Sequence, residues 1–303
     1  MDNLTHSFAG ALLAQMGLKK LSGRATATLV IAANIPDIDA VLSVLGTESL
    51  ALRRGLTHGP IALALLPVLL TGLMLLWNRW RPAKEPVRAG PLLLCAIIGT
   101  LSHPALDWLN SYGIRLLEPF SSRWYAGDTL FIIDLWIWAT LIGCWIWSRR
   151  REKAGGDWQR PAWLGFVAIS AYILLNGLIT GRAETVTAER LAVPGQAPPL
   201  VVANPVPLRF WERAMLWRTS LEHGGGLYRI GQGFQPGAVQ PEPNNLDHPA
   251  LAAARGRPDV EAFLFWSRMP IVIEREGITT LADQRFDSEL TRDTFVVPLT
   301  SRP

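Results

Sequence analysis

Apolar residues run almost without interruption along the first 180 positions, in stretches too long for strands and too uniform for amphipathic helices. Four are of bilayer-crossing length: 58–77 "HGPIALALLPVLLTGLMLLW", 90–108 "GPLLLCAIIGTLSHPALDW", 130–147 "LFIIDLWIWATLIGCWIW" and 163–180 "WLGFVAISAYILLNGLIT". A spanning helix needs roughly 20 mostly apolar residues. Two shorter runs, 4–17 "LTHSFAGALLAQMG" and 25–36 "ATATLVIAANIP", predict short helices, re-entrant segments or halves of a buried hairpin. Past residue 200 the pattern changes to short runs rich in β-formers at 200–203, 208–219, 226–231, 262–268, 270–276 and 293–299, separated by Gly-, Pro- and Asn-rich turns. The 208–219 run also has helical spacing. These patterns predict a multi-pass α-helical membrane domain over 1–182, a linker at 183–200 and a β-rich soluble domain over 201–303.

Composition supports the membrane reading. Of 303 residues, 49% are hydrophobic and 18% charged, where a soluble chain carries about 25% charged. The net charge of +4 does not point to nucleic acid, because the basic residues gather in two short loops, 78–88 "NRWRPAKEPVR" and 148–160 "SRRREKAGGDWQR". Short Lys/Arg-rich loops stay on the cytoplasmic side of a membrane. Trp77, Trp80, Trp147, Trp158 and Trp163 fall at span ends, as an interfacial belt facing membrane lipids does. No basic region precedes the first apolar run, so a secretory signal peptide is not expected. Cys95 and Cys144 lack metal-ligand spacing and read as small buried hydrophobes. The expectation is an integral protein of the bacterial plasma membrane.

With both basic loops inside, the spans alternate so that the C-terminal domain is extracytoplasmic. The same topology brings His6, Asp37, Asp39, His58, His103, Asp107, Asp128 and Asp134 to one level, the outer membrane face. Arg53 and Arg54 oppose this assignment, but first helices do not always obey the charge bias.

His103 and Asp107, at i and i+4, share one helix face and reach a common ion. An unpaired carboxylate beside hydrocarbon is expensive, and a cation offsets that cost while favouring neutral imidazole beside ionised carboxylate. Three histidines with two or three aspartates suit one or two ions, with Zn²⁺ foremost and Mn²⁺ or Fe²⁺ as alternatives. Asp37 and Asp39 are at i and i+2, on one side of a strand but diverging on a helix; at least one is an expected ligand, the other a cap, a general base or a ligand orienter. Arg53, Arg54 and Arg123 are candidate anion binders at the substrate, and interfacial arginines bind lipid headgroups equally well.

Each residue also has a plainer reading. His6 suits a surface or capping partner, and His58 an interfacial residue. His103–Asp107 suits an intrahelical hydrogen bond, and Asp134 with Asp128 a helix cap and a surface charge. His223 and His248 read as loop residues outside the chemistry.

The ordered motifs "LTHSFAGALLA", "NIPDID", "RRGLTHGP" and "LSHPALDWLNSYG" resemble the YdjM-like family of membrane-bound metal-dependent hydrolases over about residues 1–180. That family in turn resembles zinc-dependent phospholipase C and the P1-type nuclease, and the resemblance implies their helical fold. It also implies His6, an aspartate of the Asp37/Asp39 pair, His58, His103 and Asp107 as metal ligands. The further His and His-x-x-x-Glu of the soluble enzymes have no counterpart here, which limits the expected metals to two. The function so implied is metal-dependent hydrolysis of a phosphoester or lipid-linked substrate by a metal-activated water. The alternatives are a metal or proton transporter using the same residues, and a membrane-anchored interaction module.

Overall fold

The computed structural model describes residues 1–237, 240–287, 291 and 293–300. They form two compact units, 1–40 with 54–176 and 41–53 with 177–303.

The first unit is helical. Helix α1 (Asn3–Gln15) starts where Asp2 accepts from the Leu4 and Thr5 N–H groups, the N-cap that leaves fewest orphan donors. Helix α2 (Ala25–Ala32) passes through Asn34 into a 3-10 segment, Ile35–Glu48, which carries Asp37 and Asp39. In the second unit lies the short α3 (Ser49–Leu52). Helix α4 (Pro60–Trp80) has Pro60 in its first turn, where the missing N–H costs nothing. Helix α5 (Ala89–Asp107) ends on the "SHPALD" motif. Helix α6 (Leu135–Lys153) is capped by Asp134, which accepts from the Trp136 and Ile137 N–H groups. Helix α7 runs Gln159–Leu191, so 183–191 of the expected linker is helical.

Two glycines bring α1 and α5 against α2. A Cβ on Gly10 would sit 2.6 Å from the Leu29 carbonyl oxygen, and one on Gly99 would sit 2.6 Å from Ala32 Cβ and 2.9 Å from that same oxygen. Small residues that let backbones meet are the means of helix association in lipid, where apolar transfer gives little drive. Buried Ala14, Ala25, Leu29 and Cys95 fill the seam, while Leu70, Met74, Leu92 and Ala96 join α4 to it.

The helices share two polar ends. At one, the Trp138 indole donates to Asp2 and Thr5. At the other, Lys19 pairs with Glu152, Ser148 donates to Gln15, Arg24 donates to Asn78, and Ser22 donates to the Arg88 carbonyl. The sequence-predicted histidines all belong to the first end.

Among the described residues, four segments are long and apolar enough to cross a membrane: Ala25–Leu52, Pro60–Trp80, Ala89–Asp107 and Gln159–Leu191. Three contain or closely match expected spans. The fourth expectation, 130–147, is replaced by 25–52. Asp134 starts α6 only at 135 and Arg149–Arg151 follow, so the helix holds too short an apolar stretch. The 25–52 segment was expected to fall short; it gains length by continuing through the 3-10 segment, and Gly46 breaks it at φ +62°.

The second unit carries β1 (Leu200–Pro205), β2 (Glu212–Arg218), β3 (Glu222–Arg229), β4 (Gly233–Pro236) and β5 (Glu242–Pro243) in one antiparallel sheet of order β1-β2-β3-β4, with β5 also on β3. Helices α8 (Pro249–Ala254) and α9 (Pro258–Trp266) follow, then a sheet of β6 (Pro270–Arg275), β7 (Ile278–Asp283) and β8 (Val296–Pro298). The expected strand at 262–268 is the end of α9. Its aromatics suggested a strand, but Val260, Phe263 and Trp266 are buried at three-residue spacing behind Pro258, which is helical periodicity. The 208–219 run does become a strand despite its helical spacing. Opposite Gly224 in the register lies Trp217, whose ring occupies the space a Cβ would take.

Of the two histidines of the second unit, His223 lies in β3 and not in a loop, while His248 lies in the turn before α8, which it caps by accepting from the Ala250 N–H.

Candidate metal centre

One donor atom from each of Asp37, His58, His103 and Asp107 lies within 4.8 Å of the other three. These residues come from the 3-10 segment after α2, the turn before α4 and the last turn of α5, and the three from His58 onward are fully buried. His58 Nε2 and His103 Nε2 stand 3.1 Å apart. Asp37 Oδ1 is 3.9 Å from the first nitrogen and 3.6 Å from the second; Asp107 Oδ2 is 3.7 and 3.5 Å from them.

The outer bonds of the two rings fix their tautomers. His103 Nδ1 lies 2.7 Å from the Ala33 carbonyl oxygen, which only accepts, so Nδ1 carries a hydrogen, and in the neutral ring Nε2 presents a lone pair. The Thr57 hydroxyl donates to Asp39 Oδ2 at 2.7 Å and lies 2.9 Å from His58 Nδ1. Its proton is therefore committed, and His58 Nδ1 must donate, to Thr57 and toward Asp39 Oδ2 at 3.4 Å. His58 Nε2 is then a lone pair too. With both rings neutral, two imidazole lone pairs face one another at 3.1 Å with two carboxylate oxygens beside them. Asp37 Oδ1 and Asp107 Oδ2 are buried with no hydrogen-bond partner among the described residues.

Arg54 and the Met1 amino group face Asp107, and a cation among the four donors would in addition compensate Asp37 and the two Nε2 atoms. The set also has the dimensions for one: zinc–ligand distances near 2.0–2.1 Å put tetrahedral donors about 3.3 Å apart, and the five separations above run from 3.1 to 3.9 Å.

The remaining predicted residues take outer positions. Asp39 sits behind the His58 ring, where its Oδ2 also accepts from the Arg54 N–H at 2.7 Å, the carboxylate–histidine arrangement that orients metal ligands. A 3-10 segment turns about 120° per residue, so two aspartates at i and i+2 point to opposite sides of one imidazole. His6 stacks on His103 with ring centroids 3.9 Å apart, its Nε2 is 3.2 Å from Asp107 Oδ1, and its Nδ1 is buried with no hydrogen-bond partner among the described residues. It is a neighbour of the four donors, outside their group.

Arg54 departs from its expected role of binding an external anion. It is buried, with Nε 3.2 Å from Asp107 Oδ2 and a guanidinium nitrogen donating to Asn110 Oδ1 at 3.1 Å. Asp107 also accepts from the Met1 amino group. The Arg54 role was hidden because it depends on a left-handed backbone, φ +52°, that no local pattern announces. Arg123 is exposed over the Tyr125 ring, and Arg53 falls in the second unit. Asp134 is the α6 cap and also accepts from the Tyr172 hydroxyl. Asp128 is buried, where a surface charge was expected; its φ of +47° turns the loop inward.

Over 145 residues the chain is 30% identical to the uncharacterized protein YfhP of Bacillus subtilis (strain 168), a match that covers 47% of this chain and 39% of that relative. The chain thus spans well under half the length of the curated relative it matches. No solved structure matches it. Residues 1–183, which include every member of the centre, match the YdjM inner membrane protein family. By that match and its four apolar segments the chain is a membrane protein, and it belongs to the YdjM inner membrane protein family.

Proposed function

We propose that the cluster holds a divalent cation, zinc foremost, and that the protein is a membrane-bound metal-dependent hydrolase of phosphoester or lipid-linked substrates. The observation that carries this reading is the convergence, in a buried site, of two imidazole Nε2 atoms with Asp37 Oδ1, which has no hydrogen-bond partner among the described residues, and Asp107 Oδ2, which faces Arg54 Nε at 3.2 Å. A proton on one ring would satisfy only that pair of nitrogens, whereas a divalent cation would take both Nε2 atoms and Asp107 as ligands and offset the Asp37 charge beside them. A bound cation of this kind lowers the pKa of a water toward neutrality and polarises a phosphoryl or acyl oxygen.

The donors divide by accessibility. His58, His103 and Asp107 have no exposed side-chain surface, while the Asp37 side chain is 10% exposed. Three buried donors match the protein share of a catalytic zinc site, which keeps one position open. Asp37, the one donor with exposed side-chain surface, would take a proton from a water held at the open position. Asp39 and the Ala33 carbonyl hold the two rings in the tautomers that present Nε2. Arg54 and His6 hold Asp107 in place and compensate its charge.

The order His6, an aspartate of the Asp37/Asp39 pair, His58 and His103-x-x-x-Asp107 resembles that of zinc phospholipase C and the P1-type nuclease, which suggests a phosphoester among the substrate classes, although the further His and His-x-x-x-Glu of those enzymes have no counterpart here. The donors lie at the helix ends opposite the basic loop 78–88, so the positive-inside bias supports an outward-facing site.

The test is a panel of phosphodiester, phosphomonoester and lipid ester substrates presented to the detergent-solubilised full chain. Turnover of a phosphoester is expected, abolished by chelation, restored by Zn²⁺, and reduced at least 100-fold in Asp37→Asn with metal retained, within the range of a general base. Turnover that survives metal stripping, or a zinc-loaded protein inactive across the panel, contradicts the hydrolase reading.

A further inference from the structure

The opposite ends of the same helices enclose a second feature. A cavity of ≈ 960 Å³ lies where the α1–α2 turn meets the loop between α4 and α5, and its lining includes Lys19, Lys20, Arg24, Lys84 and Arg88. The carboxylates on its wall are Glu85 and Glu152, and Glu152 is already shared by Lys19 at 2.5 Å and Arg149 at 2.6 Å.

The cations are held mostly by neutral groups. Lys20 donates to the Gln159 side chain at 3.0 Å, Arg24 to Asn78 Oδ1 at 3.2 Å, and Arg88 to the Leu21 carbonyl at 2.8 Å. Lys19 and Lys20 both lie over the Trp158 ring, at 3.9 and 4.8 Å from its centroid. These contacts position the side chains without cancelling their charge. Lys84 is exposed and has no side-chain partner among the described residues. The pocket also receives the first turn of α2 at Thr26 and Ala27, where backbone N–H groups favour anions.

The level of the opening identifies the anion's source. On α4, Leu65, Leu69 and Leu73 form an exposed apolar stripe that gives way to Trp77 and Trp80 at the helix end, and the pocket's Arg24 lies 3.9 Å over the Trp77 ring. Exposed leucines at helical spacing mark a lipid-facing surface, and tryptophans at its end mark the headgroup layer. A basic pocket between helices at this depth is built for a phosphate carried on a lipid.

We propose that this cavity binds the phosphate of an anionic phospholipid headgroup, at the end of the helical unit remote from the metal centre. The site is independent of the hydrolase reading, since it shares no residue with the four metal donors.

The experiment uses the full chain, delipidated in neutral detergent, with binding read by native mass spectrometry. Short-chain phosphatidylglycerol, short-chain phosphatidylcholine and inorganic phosphate are titrated separately into wild type, Lys20→Gln/Lys84→Gln and Lys20→Arg/Lys84→Arg. Phosphatidylglycerol is expected to bind wild type and the double-arginine variant, and to bind the double-glutamine variant about 30-fold more weakly, the effect of two surface lysines on an anionic lipid. Both lysines are exposed, and an unchanged thermal midpoint shows that the variants fold. Equal phosphatidylglycerol affinity in wild type and the double-glutamine variant, or phosphatidylcholine binding as tight as phosphatidylglycerol, overturns the site. Inorganic phosphate binding as tight as the lipid overturns its assignment to a headgroup.

Discussion

Replacing Asp39 by Ala is expected to weaken zinc binding although Asp39 is not among the four converging donors. Its Oδ2 accepts from the Arg54 N–H at 2.7 Å and the Thr57 hydroxyl at 2.7 Å, and it faces His58 Nδ1 at 3.4 Å. Those bonds hold the imidazole in the tautomer that presents Nε2, and the negative charge makes the ring a stronger donor. Loss of such an outer partner typically costs about 10- to 100-fold in metal affinity, or about 1.4–2.7 kcal/mol. Asp39→Asn keeps an oxygen at the Oδ2 position and removes the charge; because a neutral hydrogen bond is roughly half as strong as a charge-assisted one, its effect falls between wild type and Ala. The Ala variant also strands two donors, each costing about 1–3 kcal/mol if buried, so thermal unfolding is followed in parallel and the Asn variant separates orientation from folding. The assay is competition for zinc against a chromophoric chelator, in detergent near neutral pH. An Asp39→Ala protein that binds zinc as tightly as wild type refutes the reasoning.

Other consequences are equally direct. In the second unit Asp283 is fully buried; burial pushes its carboxyl up, but the Arg285 charge and bonds at 2.9 and 2.8 Å, with the Ser267 hydroxyl, hold it below the ordinary carboxylate range. A carboxyl lowered on folding contributes stability above its unfolded value, lost as pH falls through its folded value. Asp283→Asn should therefore cost about 3–5 kcal/mol at neutral pH by leaving Arg285 unpaired, and its deficit in thermal midpoint should shrink as the pH drops; a deficit constant with pH contradicts the pair. Gly99→Val should destabilise by about 1–3 kcal/mol through overpacking and lower zinc affinity, because α5 must move off the Leu29 carbonyl and carry His103 with it; a midpoint and a zinc affinity both equal to wild type count against the α2–α5 contact. His248→Ala should cost about 1 kcal/mol as a lost helix cap with metal content unchanged, and a loss of metal would contradict the separation of the two units' roles.

Much of this was readable from residue spacing. The intervals that place His103 and Asp107 on one helix face, and the basic loops that fix which span ends share a level, are local or additive signals. The division of labour between Asp37 and Asp39 was not readable, because it depends on whether "PDID" is extended, α-helical or 3-10, and hydrophobic pattern does not separate these over four residues. Arg54 was misread as an external anion binder because its inward course needs a left-handed backbone and the far-off partners Asp107 and Asn110. In the second unit, α9 looked like a strand because short aromatic runs fit either element until Pro258 and the three-residue burial rhythm are weighed together. The helix α6 was read as a span because its apolar run was counted from 130, before the cap at Asp134.

The measurement that bears most directly on the central claim is elemental analysis of the purified full chain after zinc reconstitution and removal of free metal, for wild type, His58→Ala and His103→Ala. At least one divalent ion per chain is expected in wild type, with most of it lost in both variants while their helical content is kept. A wild-type chain without bound metal, or variants that retain as much as wild type, contradicts a cation site built from these side chains.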